Sequence, residues 1–395
     1  MSSLSWIAFD ENERRRAQRI MALFNEKVSR DELGFGPIRD SIADHLFPGT
    51  TTIQTRLRYM LFVPWILEGV VEGVDGTPDG LAAKTRASEV RLMNALRAGG
   101  EQDGVIGGVS GKRLLRMPSS IYWSGLWSWG IRLFRGSQQT YFTSLCSLRT
   151  QRRTGTRRGA ETAAGREYAP WHAGLPPAPE TLLEQATFEL SRHEASFLVD
   201  RIVNSQPTSL LAHLANARLH ADCAYIWEHP DIAGFPPAIR RLVKHAETFS
   251  AVMQGAALLY NLMLSEKREN EEWIQRYREE LDRWKASEFD RSISSSWSLG
   301  DFWARASHEN HRIRTPTRRF VHRWHELSVR RVGEVADDPI ARELVREREK
   351  SLKRAQSRFS NRAVLDSWGG RSGADRLEFR WRTANRHLRD LADAT

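Results

Sequence analysis

The chain has 395 residues, of which 59 are lysine or arginine and 49 are acidic, so its formal net charge is +10. Hydrophobic residues make up 40% of the sequence, which excludes a disordered composition. The longest apolar stretches, Tyr59–Val71 and Ala251–Leu264, are too short for a membrane-spanning helix. The N-terminal stretch lacks a basic flank followed by an apolar run, so we expect no signal peptide.

The length and the cysteine content indicate a two-domain protein in a reducing compartment. A chain of 395 residues exceeds the size of one ordinary hydrophobic core. Only two cysteines are present, Cys146 and Cys223, so no disulfide framework is expected and a cytoplasmic location is favoured. The positive charge is carried mainly by arginine, whose forked donors match phosphate groups, and it favours polyanionic partners.

Residues 1–148 show the order of elements of a winged helix-turn-helix domain. The glycine-rich residues 99–118 predict a small β-hairpin, which corresponds to the wing. Thr51 and Gln54 have the spacing of a capping box, and Pro64 is expected to end or kink the helix that follows. Apolar residues at helical spacing predict the helices Glu11–Val28, Ile38–Phe47, Thr51–Val63 and Ala82–Arg97.

The predicted helix Thr51–Val63 has an apolar stripe and a polar face that suits a reader of the major groove. The apolar stripe consists of Ile53, Leu57, Met60 and Leu61. Threonine hydrogen-bonds base edges, and arginine binds guanine edges or phosphates. The candidate nucleic-acid-binding residues of this surface are Thr52, Thr55, Arg56, Arg58 and Tyr59. The alternative is an ordinary helical pair in which Arg56 and Arg58 form salt bridges.

Residues 149–177 are predicted to be a basic and proline-rich linker between the two domains. Such a segment can follow a phosphate backbone without reading its sequence, and the alternative is a solvated insertion with no partner. The candidate phosphate-binding residues of the linker are Arg149, Arg152, Arg153, Arg157 and Arg158.

Residues 178–395 are predicted to form a larger helical domain, so the expected fold class is mainly α. This class combines an N-terminal winged-helix-like domain carrying a small hairpin with the helical domain that follows. The predicted helices of the second domain are Pro179–Asn204, Ser209–Glu228, Pro237–Leu264, Asn270–Phe289, Phe302–Ile313, Pro316–Val335, a long one from Pro339 to about Asp366, and Leu377–Leu391.

No complete catalytic motif is present, and one histidine-rich segment allows a metal-binding interpretation. His308–His325 contains two His-x-x-His pairs, and this spacing places each pair on one helix face. No cysteine or carboxylate completes a familiar ligand set, and the surrounding arginines repel a cation. We therefore predict neither a catalytic residue nor a cofactor, and a polar helix surface is the favoured interpretation of this segment.

Several stretches of the chain together resemble a family of bacterial proteins catalogued only as a domain of unknown function. They are "LSWIAFDENER", "SRDELGFGPIRD", "LFPGTTTIQTRLRYMLFVPWI", "GVIGGVSGKRLLRMPSSIYWSGLWSWGI" and "LEFRW". The resemblance implies a prokaryotic cytoplasmic protein. It also implies gene neighbourhoods of the phage-defence type, beside helicases and phospholipase-D-like nucleases. It transfers no catalytic residue.

These observations support three functional hypotheses. The first is an accessory protein of a bacterial DNA-handling or phage-defence system that binds duplex DNA. The second is a protein–protein scaffold for a helicase or nuclease without nucleic-acid contact, anchored by Trp123, Trp127, Trp273 and Trp284. The third is an unrecognised metal-dependent nuclease that uses the histidine-rich segment or a set of carboxylates.

Overall fold

The protein is mainly helical, as predicted. A computed structural model describes residues 31–71, 76–107, 116–153, 169–288, 296–309, 311–331 and 334–394. Helix accounts for 63% of the structure, in fourteen α-helices, and the described ranges contain no β-strand. No helix within these ranges is long and apolar enough to cross a membrane. The predicted helix Glu11–Val28 and the centre of the predicted hairpin, residues 108–115, lie outside the described residues.

The chain divides into two compact units, each of which combines separate parts of the sequence. One contains Arg241–Phe379 together with the described residues up to Ile42, and we call it the 241–379 unit. The other contains Ala43–Arg240 and the residues from Arg380 onward, and we call it the 43–240 unit. The predicted linker, residues 149–177, lies within the sequence range of the 43–240 unit rather than at this division.

Among the first seven helices, all but the first lie within the 43–240 unit, and the first begins among residues grouped with the 241–379 unit. In chain order they are α1 Gly36–Leu46, α2 Tyr59–Val71, α3 Pro78–Ala98, α4 Pro118–Ser128, α5 Gln138–Arg153, α6 Arg192–Ser205 and α7 Leu210–Ala217. The run Tyr59–Leu67 is buried along its whole length, as expected for a segment whose sequence is apolar throughout. Helix α2 packs against α3 and α4, α3 packs against α5, and α6 packs against α7.

The other seven helices include the longest one in the structure. They are α8 Pro237–Lys267, α9 Glu271–Arg283, α10 Leu299–Ala306, α11 Thr315–Arg331, α12 Pro339–Lys353, α13 Arg362–Asp366 and α14 Trp381–Ala392. In the 241–379 unit two buried indoles donate to backbone carbonyls of α8, Trp284 to Ala251 at 2.7 Å and Trp324 to Val252 at 2.8 Å. Gly255 is required where Trp284 crosses α8, because a Cβ atom there would lie 2.3 Å from the ring.

Several predicted helices are shorter in the structure, and local caps or left-handed residues set the new ends. Helix α6 begins at Arg192, not at Pro179, because Ser191 and Glu194 form a capping box. Helix α7 ends at Ala217 because Arg218 adopts a left-handed conformation with φ of 54°.

The long helix predicted from Pro339 is interrupted in the same way. Helix α12 ends at Lys353, and Arg354 has a φ of 51°, which ends the regular helix. A new helix, α13, begins at Arg362. Its N-cap is Asn361, whose side chain accepts the N–H of Val364.

Candidate nucleic-acid interface

The polar segment that precedes α2 is not helical. The predicted helix Thr51–Val63 begins only at Tyr59, and α2 then continues through Pro64, which does not end it. Ile53, predicted to belong to the buried stripe, is 38% exposed, whereas Leu57 is buried. The prediction of a recognition helix that starts at Thr51 is therefore wrong.

Side chains distant in the sequence hold this segment in turns by accepting its backbone N–H groups. Thr55 N donates to Tyr122 Oη at 2.9 Å, and Leu57 N donates to the Asp390 carboxylate at 2.8 Å. Gln54 accepts the N–H of Thr51 at 3.1 Å, which is one half of the predicted capping box. Because these N–H groups are already satisfied, the segment needs no helical hydrogen bonds to be stable.

Arg56 is committed to an internal ion pair. Its Nε and one terminal nitrogen each lie 2.9 Å from Asp390 of α14, and its guanidinium stacks on the ring of Phe188 at 4.7 Å. Burial raises the pKa of Asp390 above its usual range even though Arg56 opposes the shift. The pair therefore connects the segment to α14 and uses the donors that a phosphate would need.

Arg58 and Tyr59 are also engaged inside the 43–240 unit. Arg58 donates to Glu194 at 2.8 Å and to the Thr187 carbonyl at 2.9 Å. Tyr59 is 1% exposed, and its hydroxyl accepts the N–H of Ile106 at 3.0 Å. Arg58 is thus salt-bridged, as in the alternative interpretation of this segment, and Tyr59 is buried rather than on a free polar face.

The two threonines of the predicted surface differ from each other. The Thr55 hydroxyl donates to the carbonyl of Gly104 at 2.6 Å, so its hydrogen-bonding capacity is largely used. Thr52 is exposed. Of the five predicted residues of this surface, Thr52 is the one whose side chain lies fully at the surface.

The predicted linker is partly helical. Helix α5 continues to Arg153, so Arg149 and Arg152 lie in its last turns, and their side chains are outside the described structure. Arg157 and Arg158 lie outside the described residues. The part of the linker from residue 169 is packed, since Trp171 is 3% exposed, and an isolated β-bridge joins it to Arg132.

The four imidazoles of the histidine-rich segment do not form a ligand set. His322 accepts a hydrogen bond from the Trp303 indole at 2.8 Å, and His325 lies edge-on to Trp297 at 5.3 Å. The rings of His308 and His311 are 5.9 Å apart. Among the described residues, no group of three His, Cys, Asp or Glu side chains is placed to hold a metal ion.

The same segment carries positive charge that no described residue compensates. Four arginines are exposed and make no ion pair or hydrogen bond with their side chains to any described residue. We call these residues the α11 basic patch: Arg312, Arg314, Arg319 and Arg323.

The fold of α11 explains why the last two of these arginines face solvent. Phe320, Val321 and Trp324 are buried on one side of the helix. Arg319 and Arg323 are one turn apart on the opposite side, where i and i+4 positions are neighbours. The amphipathic pattern of α11 therefore presents both guanidinium groups to the surroundings.

Two arginines of the α11 basic patch, Arg312 and Arg314, lie just before the N-terminus of α11. The first turn of α11 contains no acidic residue that would offset their charge. A helix N-terminus carries a partial positive charge, so arginines there gain nothing from the helix and repel it. The neighbouring Arg318 is held differently, 4.8 Å above the Trp303 ring and donating to Ser307.

A sequence signal for the patch exists, although it is not specific. No acidic residue occurs between Glu309 and Glu326, so Arg314 and Arg319 have no acidic residue within four positions on either side in the chain. Glu326 itself pairs with Arg330 at 2.9 Å. The sequence analysis interpreted this segment as a polar helix surface. A longer acid-free stretch occurs between Asp103 and Glu161, so the lack of acidic residues does not single out this segment.

The four tryptophans predicted as interface anchors have different environments. Trp284 is 1% exposed and belongs to the core of the 241–379 unit. Trp123 and Trp273 are half-buried, and Trp273 packs against Trp368 with ring centres 5.2 Å apart. Trp127 is 43% exposed, so it is the one of the four that presents a large surface to a partner.

Comparison with known proteins gives a family but no activity. Neither the curated proteins nor the solved structures include a match to the chain. One family model matches it from residue 1 to residue 395, and this family is described as a family of unknown function, DUF6361. The match covers the whole chain, including both compact units, and so agrees with the resemblance noted in the sequence. The protein therefore belongs to the DUF6361 family.

Proposed function

We propose that the protein is an accessory DNA-binding protein that contacts the phosphate backbone through the α11 basic patch. The observation that carries this proposal is the lack of any carboxylate partner, among the described residues, for the four exposed guanidinium groups of the patch. A guanidinium presents a planar fork of donors that matches two phosphate oxygens. The net charge of +10 adds a long-range attraction for polyanions.

The helix that carries the patch strengthens the argument. Arginines near the N-terminus of α11 are unfavourable for the isolated protein, since the helix dipole has the same sign there. A bound phosphate reverses this effect, because both the dipole and the guanidinium groups attract it. The arrangement is therefore easier to explain as an anion-binding surface than as a contribution to stability.

The expected mode of binding is independent of sequence. Contacts to phosphate position a protein on DNA but carry no base information. Each phosphate contact lowers the slope of log K against log salt by about 0.9, so we expect steep salt dependence. A preference for particular base sequences is not part of the proposal.

Of the two DNA-contacting surfaces predicted from the sequence, only the linker arginines remain part of the proposal. Arg56 and Arg58 are internally paired, so no DNA contact is assigned to them. The linker arginines remain a proposed second contact with phosphate, which can be tested with a variant in which Arg149, Arg152 and Arg153 are glutamines. The winged-helix interpretation of residues 1–148 also remains a proposal, and it depends on a wing over residues 108–115.

The cellular setting remains the hypothesis implied by the family resemblance. It places the protein in a bacterial DNA-handling or phage-defence system with a helicase or nuclease as partner. The scaffold hypothesis, without nucleic-acid contact, keeps one supporting observation, the exposure of Trp127.

The direct test is fluorescence anisotropy with a labelled duplex across a range of salt concentrations. The patch variant replaces Arg312, Arg319 and Arg323 by glutamine. We expect the wild type to bind at low salt, and we expect the patch variant to bind at least about 10-fold more weakly with a salt slope smaller by about 2 to 3. Absence of salt-dependent binding by the wild type would rule out the proposed function.

A matched control separates the patch from net charge. Arg276, Arg330 and Arg362 are exposed in the 241–379 unit, and each pairs with a carboxylate four residues away in the chain. Replacing these three by glutamine removes the same charge but none of the unpaired guanidinium groups. We expect this control to bind DNA nearly as well as the wild type. Equal losses in both variants would show that only overall charge matters.

A further inference from the structure

Trp127 is the largest exposed aromatic side chain of the 43–240 unit, and it lies on a rigid corner. It belongs to the last turn of α4, and the neighbouring Leu133 is 46% exposed. The corner is closed by backbone hydrogen bonds, from Arg132 N to the Leu126 carbonyl at 2.9 Å and from Leu133 N to the Pro170 carbonyl at 2.8 Å. The backbone next to the indole is thus fixed by hydrogen bonds, so this corner needs no folding step to meet a ligand.

Two arginines accompany this indole, and neither forms an ion pair with a described residue. The guanidinium carbons of Arg132 and Arg135 lie 5.3 Å and 5.8 Å from the centre of the Trp127 ring. Arg132 is buried and donates to backbone carbonyls, among them that of Trp123 at 3.2 Å. Arg135 is exposed. No acidic residue occurs in the sequence between Asp103 and Glu161, so the local chain supplies no countercharge.

We propose that Trp127 is a stacking platform for an unpaired nucleobase and that Arg135 binds the adjoining phosphate. This inference rests on the proposed function, which gives nucleic acid as the ligand. It specifies that the nucleic acid bound at Trp127 has a single-stranded segment. A base inside a duplex is stacked on both faces, and only an unpaired base has a free face for an indole. Aromatic side chains beside cationic groups are the usual platform for such bases.

The size of the exposed apolar surface favours a base over a protein partner. The large apolar side chains exposed in the described part of the 43–240 unit are Ile53, Trp127 and Leu133. A stable protein interface requires about 800 Å² on each partner, with a well-packed apolar centre. These three side chains are too few for that centre, whereas the indole by itself matches the face of a single base. The positive charge of Arg135 complements the phosphate of the nucleotide to which the base belongs.

The test compares a labelled single-stranded oligothymidine with a blunt duplex of equal length. The variants are Trp127→Ala, the conservative Trp127→Tyr and Arg135→Gln, with Ile53→Ala as a matched removal of an exposed apolar side chain. We expect Trp127→Ala to weaken binding of the single strand by about 5- to 150-fold and binding of the duplex by less than about 2-fold. Trp127→Tyr should restore most of the single-strand affinity, and Ile53→Ala should change neither.

The outcomes distinguish this inference from the proposed function. If both probes bind with salt dependence and Trp127→Ala affects neither, the inference is wrong and the proposed function stands. If neither probe binds at low salt, both are wrong. If Trp127→Ala abolishes capture of a protein partner while oligonucleotide affinity is unchanged, Trp127 is a protein contact and the inference is overturned. Thermal unfolding of each variant verifies the fold, and Arg135→Gln tests the platform if Trp127→Ala is unstable.

Discussion

Two arginine-containing segments of this protein look alike in sequence and differ completely in their surroundings. Arg56 and Arg58 precede α2, and each meets a buried carboxylate of the 43–240 unit. Arg319 and Arg323 lie on α11 in the 241–379 unit, exposed and without a carboxylate partner among the described residues. The first pair of arginines is part of the architecture, and the second pair is available to a ligand.

An arginine in the sequence therefore does not indicate a binding function unless it is known whether a carboxylate of the protein pairs with it. The carboxylates that neutralise the first segment are remote in sequence, since Asp390 is 334 positions from Arg56 and Glu194 is 136 positions from Arg58. An arginine that is half-buried and paired contributes to the stability of the fold. An arginine that is exposed and unpaired contributes little to stability and can bind an anion at little cost.

The largest effect on stability is expected from removal of the Asp390 carboxylate. Asp390→Ala leaves the Leu57 N–H buried without an acceptor and leaves Arg56 unpaired. We expect the free energy of unfolding to fall by about 3 to 5 kcal/mol, as measured by denaturant titration. Asp393→Ala removes an exposed carboxylate from the end of the same helix and should change it by less than about 0.5 kcal/mol. Equal effects of the two substitutions would contradict the assigned role of Asp390.

A pH-dependent loss of stability is expected from Glu89, a buried carboxylate whose hydrogen-bond partner is the N–H of Ser119 at 2.6 Å. Burial raises the pKa of Glu89 to about 7 from an ordinary value of 4.5. Because the folded state holds its proton more tightly, this contribution is fully present below about pH 4.5 and is lost as the pH rises through about 7.

The expected size of this loss is about 3 kcal/mol, at about 1.4 kcal/mol for each unit of pKa. It should appear as the difference between the free energies of unfolding of the wild type and of Glu89→Gln, measured from pH 4.5 to pH 8. Glu180→Gln, which changes an exposed carboxylate, is the control and should give no such slope. A difference that does not vary with pH would show that Glu89 is ionised in the folded protein.

A smaller destabilisation is expected when the second ion pair of the first segment is broken. Arg58→Ala leaves Glu194 buried without its guanidinium and removes the hydrogen bond to the Thr187 carbonyl. We expect a loss of about 2 to 3 kcal/mol in the free energy of unfolding. In the double variant with Glu194→Gln the two losses should not add, because the residues interact directly. The DNA affinity of the folded variant should equal that of the wild type. A large drop in this affinity would show that Arg58 contacts DNA.

The smallest effect on stability is expected in the α11 basic patch. Arg319→Gln and Arg323→Gln should each change the free energy of unfolding by less than about 0.5 kcal/mol, because no described residue depends on these side chains. The same substitutions should weaken DNA binding and lower its salt slope by about 1 each. Arg330→Gln on the same helix is the control, since Arg330 already pairs with Glu326. Destabilisation by more than 1 kcal/mol would show that the patch has a structural role.

Helices with strong periodicity and clear ends could be predicted from the sequence. The prediction Pro237–Leu264 corresponds to α8 over Pro237–Lys267, and Ala82–Arg97 corresponds to α3 over Pro78–Ala98. The segment before α2 could not be predicted in this way. Its capping-box spacing and its apolar positions favour a helix locally, but hydrogen bonds from its backbone N–H groups to Tyr122 and Asp390 hold it in turns. Tertiary contacts override local preference where they satisfy the backbone better.

The candidate site was harder to predict than the fold. Sequence reasoning placed the DNA contact at Arg56 and Arg58 because their helix appeared to have a free polar face. For residues 308–325 it considered a histidine metal site and favoured a polar helix surface, whereas the feature that the structure presents there is the set of unpaired arginines of α11.

The sequence by itself determined the helical class, the positive charge and most of the amphipathic helices, because hydrophobic periodicity is a local property of the chain. Only the tertiary structure decided which arginines are neutralised. The pairing of Arg56 with Asp390 and of Arg58 with Glu194 joins distant parts of the chain, and no local pattern encodes it. Because Coulomb attraction depends on distance in space and on burial, the same residue type is a structural element before α2 and a candidate ligand-binding group on α11.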